Sequence, residues 1–251
     1  MVNKNNFAKI YVDMDGVLAK WNPYASIEDT FTKGYFLNCR ADDLMITVVR
    51  ELAKKYEVAV ISHAYQNGLA ESEKLQWLQN NRLGDLEHIF IPYGEIKQNY
   101  AVCDQEIAVL IDDFSKNLMQ WEDGWYGYLG IKYYNGINGN KGSWKLRNGA
   151  YISNKMSIND ILNRIDMYIN KEKERLYINK EAELAIDEHE RIYGADGEKW
   201  QSSQTIVTFG NDKPESERHS MAELKAMAKK HVKEHNNSDI SKNISVPDLS
   251  K

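Results

Sequence analysis

The chain has 251 residues and a formal net charge of −5. This acidic balance argues against strong general binding to nucleic acid, while a single nucleotide remains a suitable ligand. Cys39 and Cys103 offer neither zinc-ligand spacing nor a disulfide framework, and the first residues lack the apolar stretch of a signal peptide. No window approaches the ~20 apolar residues of a membrane span, so we expect a cytoplasmic protein with one substantial core and material left over.

The first predicted strand ends in a pair of acidic residues. Residues 8–12 form a mostly apolar run, and Asp13, Asp15 and Gly16 follow it. Alternate residues of a strand share a face, so the two carboxylates begin on the same side. Close carboxylates repel each other unless a cation or a shared proton lies between them, and Mg²⁺ takes such oxygen ligands. A strand that ends in an Asx-rich turn is the alternative interpretation.

Residues 19–40 interrupt the pattern of helices and strands. They contain five aromatic residues, namely Trp21, Tyr24, Phe31, Tyr35 and Phe36. We predict that this segment forms a small cap over the acidic pair, where it excludes water and stacks on a flat base. The alternative is that the aromatic residues only attach the cap to the core.

Helices and strands then alternate along the chain. The predicted helices are Ala41–Tyr56, Leu69–Asn80 and Ser115–Trp121. Apolar residues recur every four positions in the first helix, and we expect Leu75 and Leu78 of the second to face the core. The predicted strands are Val58–Ile61, Ile89–Ile91, Ile107–Ile111 and Gly130–Tyr134. Residues 135–149, with Lys141 and Trp144, are expected to form a loop. This alternation favours an α/β three-layer fold with a mainly parallel sheet.

Polar residues follow the predicted strands at the ends where parallel sheets bind ligands. Ser62 ends the apolar run of residues 57–63, Lys97 lies in a turn-like stretch, and Asp112 and Asp113 close the run that begins at Ile107. Together with Asp13 and Asp15, these residues suit a phosphate that is bound with a metal ion.

These residues match, in order, the four motifs of a known superfamily: Asp13-Met14-Asp15-Gly16-Val17, Ser62, Lys97 and Asp112-Asp113. Over about residues 8–150 the sequence resembles the haloacid dehalogenase-like (HAD) phosphohydrolases, and it is most similar to the 5'(3')-deoxyribonucleotidase-like branch. The resemblance to this branch rests on Gly34–Leu37, Leu110–Asp113 and Gly130–Gly139. One departure is Ser62-His63-Ala64, where that branch usually has Thr-Ser-Pro.

The resemblance implies a mechanism and a set of site residues. Asp13 is the expected nucleophile and Asp15 the expected general acid and base. Mg²⁺ is expected on the Asp13 carboxylate, the Asp15 backbone carbonyl and the Asp112–Asp113 pair, of which either member is a candidate for the direct ligand and Asp113 is favoured by analogy. The expected phosphate contacts are Ser62, His63 and Lys97, and the expected base contacts are Trp21 and Phe36.

The resemblance implies a Mg²⁺-dependent phosphomonoesterase that acts on (deoxy)ribonucleoside monophosphates. A phosphatase for a sugar phosphate or a nucleic-acid end is one alternative. A non-catalytic protein that keeps the fold and binds a partner is another, although it would have no need for Asp15.

The remainder of the chain, residues 171–251, is predicted to be a helical or partly disordered extension of a catalytic domain over residues 1–170. Apolar residues at helical spacing follow Ser157, and residues 171–189 carry dense mixed charges. Further along, we predict a strand over Thr205–Phe209 and a helix over Met221–His235. His231, Glu234 and His235 match a zinc-protease pattern without a third ligand, so we read them as surface residues. The extension is a candidate for oligomerisation or partner binding.

Overall fold

The computed structural model describes residues 7–26, 28–65, 69–123, 127–139 and 142–193, with side chains to residue 178. The chain divides into two units, residues 1–172 and 173–251, and the first contains the sheet. Its strands are β1 (Ala8–Val12), β2 (Glu57–Ala64), β3 (Glu87–Pro92), β4 (Ile107–Asp112), β5 (Tyr128–Tyr134) and β6 (Tyr151–Ser153). The helices are α1 (Asp43–Lys55), α2 (Leu69–Asn80), α3 (Ser115–Trp121), α4 (Ser143–Leu146) and α5 (Ile158–Tyr193). Short 3₁₀ helices span Glu28–Phe31, Phe36–Asn38 and Lys97–Tyr100.

The six strands form one all-parallel sheet in the order β3-β2-β1-β4-β5-β6. The strand order reverses between β1 and β4, and open α/β sheets bind ligands at such a switch point. Val12 pairs with Ile111 in this central register. The residues that follow these two strands therefore begin side by side.

Apolar side chains cover both faces of the sheet. On one face, Tyr11 and Leu110 pack with Leu118 and Trp121 of α3. The alternating residues on the other face, such as Val109, are equally buried. This two-sided burial explains why the central strands read as continuous apolar runs. The predicted α/β class is confirmed, and the sheet is parallel throughout rather than mainly parallel.

The three helices predicted between the strands and the five predicted strands are present, whereas β6 and α4 were not predicted. Residues 135–149 were expected to form a loop, but the described part folds around Trp144, which is buried and donates its Nε1–H to the Ala150 carbonyl at 2.8 Å. A Cβ on Gly149 would lie 2.3 Å from the Trp144 ring. Because Gly149 has no side chain, the Trp144 ring can pack against it. The composition of residues 135–149 had instead predicted an irregular loop. Lys141 lies outside the described residues.

Helix α2 forms where it was predicted but buries a different face. Leu75 is 37 % exposed, so its assignment to the core is wrong, whereas Leu78 is fully buried. The inward face instead carries two charged residues, Glu73 and Lys74, together with Trp77. These charges interrupt the apolar periodicity from which the face was predicted.

Helix α5 begins after Ser157, whose hydroxyl accepts a hydrogen bond from the Asp160 backbone N–H at 3.1 Å. Ile161 and Ile165 on this helix are buried. The predicted strand Thr205–Phe209, the helix Met221–His235 and its histidines lie outside the described residues. None of the helices in the described part of the chain has the length and apolar character needed to cross a membrane.

Candidate active site

The predicted site residues meet at the carboxyl edge of the sheet. Asp13 directly follows β1, Ser62 and His63 lie near the end of β2, and Asp112 is the last residue of β4. The Asp13 backbone N–H donates to the Ile111 carbonyl at 2.9 Å, which continues the β1–β4 pairing to the first acidic residue. Parallel strands therefore bring together side chains that are about a hundred residues apart in sequence.

Lys97 lies between two of these carboxylates. Its Nζ is 2.7 Å from Asp13 Oδ1 and 2.7 Å from Asp112 Oδ2. Only 2 % of Lys97 is exposed. Burial alone would lower the pKa of Lys97, but the charges of Asp112 and Asp13 outweigh that effect, so its pKa is raised. The ammonium group therefore stays charged and holds the two carboxylates together.

Asp112 and Asp113 differ in how their oxygens are used. Asp112 Oδ1 accepts the Phe114 backbone N–H at 2.7 Å, and Oδ2 accepts Asn117 Nδ2 at 2.9 Å as well as Lys97. Asp113 Oδ2 accepts Asn135 Nδ2 at 3.0 Å. Among the described residues, Asp113 has no lysine or arginine at ion-pair distance. Asp113 is therefore the better candidate for a direct metal ligand.

Asp13, Asp112 and Asp113 form a compact acidic triad, in which one potential ligand atom from each residue lies within 4.8 Å of the others. Burial, followed by the Asp112 charge, raises the pKa of Asp113 to about 7. Burial likewise raises the pKa of Asp13 well above its ordinary value, with Lys97 opposing and Asp112 adding to the effect. This concentration of buried negative charge favours a bound cation.

The Asp15 carboxylate lies outside this triad and pairs with Lys74, a residue that the sequence analysis missed. Lys74 Nζ contacts Asp15 Oδ2 and also donates to Ser62 Oγ at 3.0 Å and to the His63 carbonyl at 2.7 Å. Ser62 Oγ lies 3.3 Å from the same Asp15 oxygen. The signal for Lys74 was its position three residues before Trp77, on the buried face of α2.

The His63 side chain contacts the segment that follows β3. Its Nε2 lies 2.9 Å from the Glu95 carbonyl oxygen, which can only accept a hydrogen bond. Burial lowers the pKa of His63, which favours the neutral ring with its single N–H on Nε2. That N–H is donated to the Glu95 carbonyl, and a contact between His63 and a phosphate stays a prediction.

A cleft of about 370 Å³ opens over the acidic residues. Asp13, Asp15, His63, Lys74 and Asp113 line it. Five aromatic side chains, which we call the aromatic rim, line the same cleft: Trp21, Phe36, Tyr65, Tyr93 and Phe114. Both predicted base contacts are therefore brought to the cleft, and three further rings join them. Ser62 and Lys97 are buried behind it.

The members of the aromatic rim differ in exposure. Trp21 is 42 % and Tyr93 65 % exposed, whereas Phe36 is 5 % exposed and carries the Lys74 ammonium 4.6 Å above its ring. Tyr93 stacks on Tyr65 with ring centroids 4.9 Å apart. The exposed rings offer π-faces to a ligand, and Phe36 supports Lys74 from below.

Helix α2 also holds the predicted cap segment. Glu73 accepts the backbone N–H groups of Gly34 at 2.5 Å and of Phe36 at 3.2 Å. The neighbouring Lys74 reaches Asp15. Glu73 and Lys74 therefore connect helix α2 to residues 34–36 and to Asp15.

Comparisons of the sequence with protein-family models and with curated proteins find no match. The relationship to the haloacid dehalogenase-like superfamily therefore stays a prediction from the motifs.

Proposed function

We propose that the protein is a Mg²⁺-dependent phosphomonoesterase of the haloacid dehalogenase-like type, with residues 19–40 as its cap. The observation that carries the proposal is the arrangement of Asp13 beside Asp112 and Asp113 at the floor of a cleft that Asp15 also lines. The proposed nucleophile Asp13, the proposed proton-transfer group Asp15 and the proposed metal ligand Asp113 all line one space. A protein that only binds a partner would need none of this arrangement.

The residues fit a hard divalent cation. Three carboxylates supply oxygen ligands, which Mg²⁺ prefers, and their charges exceed what Lys97 neutralises. Asp13 and Asp113 are the first candidates for ligands, because both oxygens of Asp112 already accept hydrogen bonds. When bound, Mg²⁺ would offset the negative charge of the phosphate and orient it toward Asp13.

The reaction would proceed in two steps. The Asp13 carboxylate attacks phosphorus, and the bond from phosphorus to the leaving oxygen breaks as Asp15 donates a proton to that oxygen. Water then attacks the aspartyl-phosphate while Asp15 takes a proton from it, and inorganic phosphate leaves with Asp13 restored. Asp15 contacts Lys74 and Ser62 through Oδ2, so Oδ1 is the oxygen for these proton transfers.

Lys74 is the cleft-lining ammonium group beside Asp15 and is suited to contact a non-bridging phosphate oxygen. Lys97 and Ser62 are buried beneath the residues that line the cleft. Lys97 orients Asp13, and Ser62 orients Lys74 and Asp15. Charges fixed before the reaction supply much of the rate in phosphoryl transfer.

The aromatic rim favours a nucleoside monophosphate as the substrate. A volume of about 370 Å³ lies within the roughly 300–1,000 Å³ of small-molecule sites. Exposed rings such as Trp21 and Tyr93 suit a flat base. Stacking contributes about 1–3 kcal/mol per base in nucleic-acid binding. Deoxyribonucleotides are preferred on the resemblance alone.

The test is a panel of phosphate monoesters with Mg²⁺ and with a chelator. We expect phosphate release that depends on Mg²⁺, with the highest kcat/KM on nucleoside monophosphates. A sugar phosphate that exceeds every nucleotide would overturn the substrate assignment and leave the chemistry intact. Absence of release from every ester would overturn the enzyme assignment in favour of a binding protein.

A further inference from the structure

The segment that follows β5 packs against the Asp113 carboxylate. Asn135 Nδ2 donates to Asp113 Oδ2 at 3.0 Å and to the Gly16 carbonyl oxygen at 2.8 Å. Gly16 follows β1 by four residues, and Asp113 directly follows β4. One amide group therefore joins the ends of the two central strands at the switch point of the sheet.

The orientation of the Asn135 amide is determined by its own turn. Oδ1 accepts the backbone N–H groups of Ile137 at 3.0 Å and Asn138 at 2.9 Å. An amide oxygen only accepts and an amide nitrogen only donates, so these two bonds turn Nδ2 toward Asp113. Asn154 Nδ2 donates to the Asn135 carbonyl at 2.7 Å and holds the backbone of the turn.

Asp113 itself has little freedom to move. Lys132 Nζ and Asn138 Nδ2 donate to its backbone carbonyl at 2.9 and 3.1 Å. On the other side, a Cβ at Gly16 would lie 2.4 Å from Asp113 Oδ2, and Gly16 has a φ of +82° that favours glycine. Within the described residues, no group donates a hydrogen bond to Asp113 Oδ1.

We infer that Asn135 is a positioning residue for the divalent cation. By occupying Oδ2 from a fixed direction, its amide leaves Oδ1 of Asp113 as the oxygen for the ion and sets the plane of the carboxylate. The inference rests on the proposed function, because it requires Asp113 to be a metal ligand. Partners that orient a ligand typically change metal affinity or activity by about 10–100-fold when they are replaced.

The experiment measures Mg²⁺ and Mn²⁺ binding to the full chain by titration calorimetry. Asn135→Ala should weaken binding by about tenfold or more. Asn154→Ala is the matched control, since it loosens the same turn without touching the carboxylate, and should change the affinity less than about twofold. Asn135→Ser is the second variant: its hydroxyl still accepts the N–H of the turn but is too short to reach Asp113, so it should weaken binding as the alanine does.

The outcomes separate the two proposals. If the unmodified protein binds neither ion, the metal centre of the proposed function is wrong and the inference fails with it. If the unmodified protein binds them and both Asn135 variants bind them with the same affinity, the positioning role of Asn135 is wrong and the metal centre stands. Equal weakening by Asn154→Ala would also overturn it, because general loosening of the turn would then account for the loss.

Discussion

The floor and the rim of the cleft are built in opposite ways. The floor is charged and closed: Asp13, Asp112 and Lys97 are each at most 6 % exposed and are joined by ion pairs of 2.7 Å. Tyr93 in the aromatic rim is 65 % exposed and Trp21 42 %. The floor follows strands of the central sheet, whereas rim residues lie largely in connections between elements.

This difference separates chemistry from specificity. Buried charges with fixed partners suit the transfer of a phosphoryl group, because they need not reorganise during the reaction. Exposed rings on connecting segments suit recognition, because their exposed faces are free to contact a ligand. Changes in the floor should therefore reduce kcat for every substrate, and changes in the rim should alter the choice among substrates.

Replacing Asp13, the proposed nucleophile, should reduce activity more than any other substitution. Asp13→Asn should lower kcat by roughly 10³-fold or more for every ester, because the covalent route is lost. The fold should persist, since the change removes one of several close negative charges. Activity assays with circular dichroism test this, and the exposed Asp104→Asn is the control. Near-normal kcat in Asp13→Asn would contradict the assignment of the floor.

Lys74 tests whether the floor extends to helix α2. Lys74→Met should lower kcat by about 10²-fold, because a fixed positive charge beside Asp15 and the phosphate is removed. Steady-state kinetics measure this effect. Lys54→Met is the control, since Lys54 forms only an exposed ion pair with Glu51. An unchanged kcat in Lys74→Met would show that the contact with Asp15 is structural.

Substitutions in the aromatic rim should change only the preference among substrates. Tyr93→Ala should lower kcat/KM for a nucleoside monophosphate by about tenfold, because one stacking surface is lost. Activity on p-nitrophenyl phosphate should change by less than about twofold. Tyr24→Ala is the matched control, because Tyr24 is 93 % exposed and does not line this cleft. Equal losses on both substrates would remove the distinction between rim and floor.

The smallest expected effect is a dependence of metal binding on pH. A metal ligand must be deprotonated, and the pKa of Asp113 is raised by burial to about 7. Protonation therefore competes with the ion as the pH falls through 7. Mg²⁺ affinity should drop by roughly fourfold between pH 8 and pH 6.5. Calorimetry at both values tests this, and an affinity independent of pH would contradict the raised pKa.

The sequence predicted the parts of the molecule in which one segment carries its own signal. The apolar runs before Asp13 and Asp112 identified central strands, and parallel pairing placed their acidic ends together. What was missed depends on contacts between distant segments. From the sequence, Lys74 is only a charged residue of a predicted helix, because its contact with Asp15 depends on how α2 packs. Trp144 likewise lies in a predicted loop, because its burial depends on the residues that fold around it.

His63 shows a different limit of sequence reasoning. It was expected to contact a phosphate and does line the cleft, but its contact with the Glu95 carbonyl, from the segment after β3, was not predicted. No spacing in the sequence reveals which backbone group will lie opposite a side chain. The aromatic rim is intermediate, since Trp21 and Phe36 were predicted from composition, while Tyr93 reaches the cleft from another connection.

In the proposed mechanism Asp13 accepts the phosphoryl group, so this group should be detectable on Asp13 when the reaction is stopped early. The protein is mixed with a nucleoside monophosphate and Mg²⁺, quenched in acid within the time of a single turnover, and mapped by mass spectrometry. We expect a phosphoryl group on Asp13 that is absent from Asp13→Asn and persists longer in Asp15→Asn. Rapid phosphate release without any phosphoryl-enzyme, retained by Asp13→Asn, would contradict it.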